Sequence, residues 1–151
     1  WHPRNDARPW VRYVLTAHYR QLHTLLRRTA EVERTYYELD SLVERHQLPE
    51  RVVDALFEAV SGRRVRNATC RALAASQSTI PVHEGTISRD LKTLVQLQLL
   101  EAHGERRGRF YTMGPGLREI WESVREDRPK RDDTDPFALT ATEAGEYGLF
   151  E

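Results

Sequence analysis

Between Val82 and Thr112 the hydrophobic pattern of the chain switches from the repeat of a helix to the repeat of a strand, and few small folds accommodate that switch in so short a stretch. Ile87, Leu91 and Leu94 recur at helical spacing, so one face is apolar while Gly85, Ser88, Arg89, Lys92 and Gln96 project from the other side. After Leu97 the pattern alternates: Leu100 and Ala102 interleave with Glu101 and His103. Gly104-Glu105-Arg106-Arg107-Gly108 then interrupts, and Arg109 to Thr112 continues through Phe110 and Tyr111. Two short strands joined by a glycine-bounded basic tip make a hairpin.

What precedes this stretch has the order that such a helix and hairpin require. Pro49 starts a helix whose stripe is Val52, Val53, Leu56, Phe57 and Val60, and Gly62 closes it. Arg63 to Arg66, with Val65 inward, has the length of one short strand. Asn67 is placed to cap a further helix through Ala68, Leu73 and Ala74, and a turn from Ser76 to Pro81 leads into the basic helix, where His83 stands in the usual place of a Ser cap. Helix, turn, helix and hairpin in this order spell a winged helix-turn-helix. Beyond it, Gly114-Pro115-Gly116 breaks the strand. Leu117, Ile120, Trp121 and Val124 mark an amphipathic helix expected to pack on the body or on the N-terminal helix.

No Gly or Pro interrupts the chain from Trp10 to His46. Val11, Leu15, His18, Leu22, Leu25, Thr29, Val32, Tyr36, Leu39 and Val43 follow alternating steps of four and three. That period predicts one long helix, or two with a break, packed against another helix along most of its length. The partner of this seam could lie in the same chain, in a further domain or in a second copy. The predicted class is therefore mainly α with a small β-hairpin, a winged helix-turn-helix preceded by a long N-terminal helix. The predicted layout is a linker over 1–8, the long helix or helix pair over 9–47, the winged domain with its C-terminal helix over 49–127, and a flexible acidic tail over 128–151. In that tail Phe137, Leu139, Tyr147 and Phe150 are the candidates for local contacts.

Charge is informative in its distribution, not in its sum. Lys plus Arg equals Asp plus Glu at 23 each, but residues 1–49 carry net +2, residues 50–117 net +3 and residues 118–151 net −5. A helix offering Arg, Lys, Gln and Ser on one face can enter a DNA major groove, and a basic hairpin can reach the flanking backbone or minor groove. On that reading Arg89, Lys92 and Gln96 face bases or phosphates, Thr86 and Ser88 contact the backbone, and Arg106, Arg107 and Arg109 form the wing contacts. The alternative keeps the same fold and makes it an interaction or dimerisation module.

Other chemistry is not signalled. There is no glycine-rich phosphate loop, no ligand cluster and no nucleophile elbow, and His18 and His23, five residues apart, do not share a helix face. No catalytic residue, metal or cofactor is expected for this chain. Cys70 is the only cysteine and reads as a small apolar helix residue, which fits a reducing cytoplasm. No apolar run approaches the roughly 20 residues that span a bilayer, so no membrane partner is expected. Met113 is the only methionine, and the chain is read as a piece of a longer protein.

Two stretches resemble the region downstream of the catalytic core in bacterial Fic-family proteins. Arg8-Pro9-Trp10-Val11-Arg12-Tyr13-Val14-Leu15-Thr16-Ala17-His18-Tyr19-Arg20-Gln21 looks like the helix that closes a Fic core. Thr86-Ile87-Ser88-Arg89-Asp90-Leu91-Lys92, Leu99-Leu100-Glu101 and Gly104 to Tyr111 are similar to the winged helix appended to many such proteins. Thr86 to Leu91 alone also resembles the recognition helix of DeoR-type repressors. The resemblance implies an upstream Fic catalytic domain that transfers AMP from ATP, with this chain as its C-terminal DNA-binding or regulatory part. The family's catalytic motif has no counterpart here, since His2-Pro3-Arg4-Asn5 lacks the acidic residue and the glycines, so no catalytic residue is carried over.

Overall fold

A computed structural model describes residues 6–77, 82–130 and 135. The protein is mainly helical with one small antiparallel sheet. Its elements in chain order are α1 (Arg8–Arg45), a 3₁₀ turn (Glu50–Val52), α2 (Val53–Val60), α3 (Asn67–Gln77), α4 (Glu84–Gln96), β1 (Leu100–His103), a second 3₁₀ turn (Arg106–Gly108), β2 (Phe110–Met113) and α5 (Pro115–Glu126). No described helix is long and apolar enough to cross a membrane. Contacts divide the chain into two units: Ala30–Arg128 forms one, and the described residues before Ala30 and after Arg128 form the other.

The Ala30–Arg128 unit has one hydrophobic core. Leu39 of α1, Leu56 of α2, Leu91 and Leu94 of α4, Leu100 of β1 and Leu117 of α5 are almost wholly enclosed, together with Val65. Each enclosed leucine contributes roughly 1.5–3 kcal/mol of transfer free energy. At its edge Tyr36 stacks on Phe57 with ring centroids 4.4 Å apart, and its hydroxyl bonds the Asp54 carboxylate at 3.2 Å. Burial, then the Asp54 charge, pushes the Tyr36 phenol above its ordinary range. Cys70 is buried, as its place on an α3 apolar position requires, and burial pushes its thiol up to about 12. α5 packs on α2 and β1, and its C-terminal end is tied to α1 by ion pairs of Asp127 with Arg34 and of Arg128 with Glu31.

Local chemistry accounts for the element boundaries. Asp6 accepts from the Arg8 backbone N–H at 3.0 Å and closes the open end of α1, with Pro9 in the first turn where a missing N–H is harmless. The Arg8 guanidinium, whose Nε donates to both Asp6 oxygens at 2.9 and 2.8 Å, holds that carboxyl below its usual range. Gly62 ends the α2 region in the left-handed conformation at φ 80°. His83 takes the capping role at α4: its Nδ1 accepts from the Gly85 N–H at 3.1 Å. An imidazole nitrogen thus does what a Ser hydroxyl would do. Pro115 starts α5 directly after β2, and Gly114 is required there because a Cβ would lie 2.4 Å from the Gln98 carbonyl oxygen.

Three expectations change. The strand expected over Arg63 to Arg66 contracts to one residue pair, Val65 with Tyr111, joined by N–H to carbonyl bonds of 2.9 and 2.8 Å. Asn67 was the expected cap of α3, but its amide donates to Ser88 Oγ at 2.8 Å, and the first turn of α3 closes on the Arg66 carbonyl instead. The seam of α1 is covered over only part of its length. Tyr36, Leu39 and Val43 pack on the core, whereas Val11, Leu15, Leu22, Leu25 and Val32 are exposed. A repeat of four and three fixes which face of α1 is apolar, not what lies against that face. Most of the Ser76 to Pro81 turn and almost all of the acidic tail, including Phe137, Leu139, Tyr147 and Phe150, lie outside the described residues.

Candidate nucleic-acid interface

The backbone bonds between Val65 and Tyr111 carry the functional geometry of the Ala30–Arg128 unit, since they fix the start of α3 against the hairpin. α4 lies along the third side. Its Ile87, Leu91 and Leu94 are buried, so Glu84, Ser88, Lys92 and Val95 turn towards the hairpin. Period-2 alternation does the same for the sheet, where Ala102 pairs with Tyr111 and both share a face with Leu100. The opposite face carries His103, Phe110 and Thr112. There His103 Nε2 bonds Thr112 Oγ1 at 2.7 Å, the imidazole stacks on Phe110, and the Arg64 guanidinium covers that ring at 4.7 Å. This outer stack stiffens the hairpin without entering the cleft.

The three elements enclose a cleft of about 930 Å³. α3 and the residue before it supply Arg66, Asn67, Ala68 and Arg71; α4 supplies Glu84, Ser88, Lys92 and Val95; the hairpin supplies Ala102, Arg106, Arg107, Arg109 and Tyr111. Six cationic side chains therefore converge on one concavity, opposed by the single carboxylate of Glu84. Glu84 reaches Arg71 at 3.7 Å with both side chains more than half exposed, so this contact neutralises Arg71 only weakly. Asn67 and Ser88 are bonded across the cleft floor, which locks the register of α3 against α4.

The hairpin tip is built to hold its arginines outward. Gly104 sits at φ 71°, and a Cβ there would meet the Gly108 carbonyl at 2.9 Å, so the loop closes tightly on itself. Arg106 follows in the left-handed region at φ 48°, uncommon for a non-glycine residue, and Arg106, Arg107 and Arg109 are all exposed.

Of the residues expected at a DNA contact, Ser88, Lys92, Arg106, Arg107 and Arg109 line the cleft. Arg89 and Gln96 are exposed on α4 but do not line it, and Thr86 is half-buried away from it. Arg66, Asn67 and Arg71 line the cleft and were not among the expected residues. The signal for them was present in the basic run Arg63-Arg64-Val65-Arg66, where an inward Val65 flanked by outward arginines marks an edge, but only the pairing with Tyr111 reveals which way Arg66 is carried. Among the described residues no group of three or more His, Cys, Asp or Glu is placed to hold a metal ion.

Chemically, such a cleft suits a chain of anions. Guanidinium groups bond phosphate oxygens in a bidentate fork and stay charged at any physiological pH. Val95, Ala102 and Tyr111 give the floor an apolar component against which a sugar ring can pack. The chain matches no family model, no curated protein and no solved structure.

Proposed function

We propose that Ala30–Arg128 is a winged helix-turn-helix module that binds duplex DNA and serves as the regulatory, C-terminal part of a bacterial Fic-family protein. One observation carries the DNA reading: six cations from three separate elements line a single cleft between α4 and the hairpin. A phosphodiester backbone follows that cleft, with Lys92 and Ser88 on one wall and Arg106, Arg107 and Arg109 on the other. α4 then presents Arg89 and Gln96 to base edges, and Arg66 and Arg71 reach further phosphates. The lining offers cations, an amide, a hydroxyl and one carboxylate, which suits binding and not turnover, so any AMP transfer belongs to the proposed upstream Fic domain. The family assignment rests on the resemblance of residues 8–21 and 86–111 alone.

Fluorescence anisotropy of a labelled random duplex tests the reading. Binding at low ionic strength, weakened by Lys92→Glu and by Arg66→Glu, is the expected result. No affinity for any duplex at low salt would refute it. A second reading, an interaction module, is favoured by one observation, the exposed apolar residues of α1. It concerns a different surface and does not compete for the cleft.

A further inference from the structure

The exposed half of the α1 seam has an arrangement that the DNA reading does not use. Val11, Leu15, Leu22, Leu25 and Val32 are between 42% and 61% exposed, and His18 and Thr29, which complete the stripe, are exposed as well. From Val11 to Val32 the stripe runs about 32 Å at the rise of an α-helix. Its four-three spacing is the spacing that knobs-into-holes packing of a second helix requires. An apolar stripe of this length, interrupted only by His18 and Thr29, on a charged helix marks an interaction surface.

We propose that a second copy of this chain covers the stripe, with the two α1 helices antiparallel and Leu22 of each facing the partner's Leu25. The pattern is matched to itself under reversal. Aligning Leu22 with the partner's Leu25 sets Leu15 against Val32 and His18 against Thr29, and by symmetry each pair occurs twice. Apolar residues meet apolar residues, while the two polar members of the stripe meet one another. An imidazole and a hydroxyl opposed in this way can hydrogen-bond.

The flanking positions agree. In the same register Arg12 lies beside Glu33 of the other helix, Tyr19 beside Leu26, and Gln21 beside Arg28, with no like charges opposed. Arg12 is paired with Asp135 in the single chain, but that pair is exposed, and exchanging one surface carboxylate for another costs little. A parallel dimer would stack His18 on His18 and put Leu15 and Leu22 where β-branched residues favour two strands, with Val11 and Val32 where Leu does so. Sequence pattern and exposure thus select the antiparallel pair.

Two measurements test this independently of DNA binding. The intact chain is expected to sediment at twice 17.6 kDa, and Leu22→Glu with Leu25→Glu is expected to sediment as monomer with unchanged helical circular dichroism. Both leucines are exposed, so folding is not at stake. For orientation, Leu15→Cys and Val32→Cys are made separately in a Cys70→Ser background and oxidised. Disulfide-linked dimers are expected from the mixture and not from either variant alone. A wild-type chain that stays monomeric at high concentration, a dimer that survives the double Glu substitution, or cross-linking within Leu15→Cys alone would each overturn the proposal. Duplex affinity of the isolated monomeric variant separates the two ideas, since loss of the dimer leaves the cleft intact.

Discussion

Replacing Arg106, Arg107 and Arg109 together by Ala tests the cleft quantitatively. The cleft is lined by six cations and the one carboxylate of Glu84, a net charge of five, so about five phosphate charges can be neutralised there. With a slope of about −0.9 per phosphate, log affinity should fall against log salt with a slope near −4.5, or roughly 500-fold between 50 and 200 mM salt. Removing three of the five contacts should flatten the slope to about −1.8, and the same change in salt should then cost only about 12-fold. The substitutions lie on exposed positions of the hairpin tip, so the fold should be unaffected. Anisotropy titrations of a random duplex across that salt range give both slopes. Arg118→Ala serves as the control, because this exposed arginine of α5 does not line the cleft and should leave the slope unchanged. If the triple variant keeps the wild-type slope, phosphates do not occupy the cleft and the DNA reading fails at its central point.

Other consequences concern stability. Gly114→Ala should destabilise the Ala30–Arg128 unit by about 3 kcal/mol or more in urea unfolding, because the new methyl meets the backbone of Gln98, Leu99 and Leu100 and not a movable side chain; a loss under 1 kcal/mol would show that β2 and α5 can shift apart. Cys70 should resist thiol reagents in the folded state and contribute alkaline sensitivity. Its folded pKa is raised by burial, so its contribution is complete below pH 9 and is lost as pH rises from 9 towards about 12. Cys70→Ala should lack that component of the pH profile. Arg51 and Asp90 form a two-bond pair at 2.8 and 3.0 Å that ties the turn before α2 to α4, with both side chains largely covered. A double-mutant cycle with Arg51→Met and Asp90→Asn should return a coupling of about 1–3 kcal/mol, and a coupling near zero would mean that water replaces the bonds without loss.

Much of this architecture was legible because its determinants are local. Ile87, Leu91 and Leu94 declare the buried face of α4, and the alternation around Gly104 and Gly108 declares the hairpin. Gly62 and Pro115 mark ends that the structure places beside them. The strand at Arg63 to Arg66 was misjudged in length because a bridge and a strand differ only in how many partners the hairpin offers, and β2 offers one, Tyr111. Asn67 was misjudged because capping and inter-helix bonding need the same residue type, and only the position of Ser88 decides between them. The seam of α1 was expected to be packed along most of its length, but it meets the core only at Tyr36, Leu39 and Val43, and nothing in its repeat says where the covering elements of the same chain stop.

The zero net charge loses its force as an objection once the cleft is seen. Screening over about 10 Å at ordinary ionic strength makes a phosphate respond to the charges around it, not to a sum over the whole chain. Around the cleft six cations face one carboxylate, and within the same unit Asp90 is bonded to Arg51 and Asp127 to Arg34. Each of these acidic groups is already partnered by an arginine that does not line the cleft, so neither offsets the cations of α3, α4 and the hairpin. A chain can therefore be neutral in composition and still hold a strongly cationic groove, and in this one the topology, not the count, separates the two.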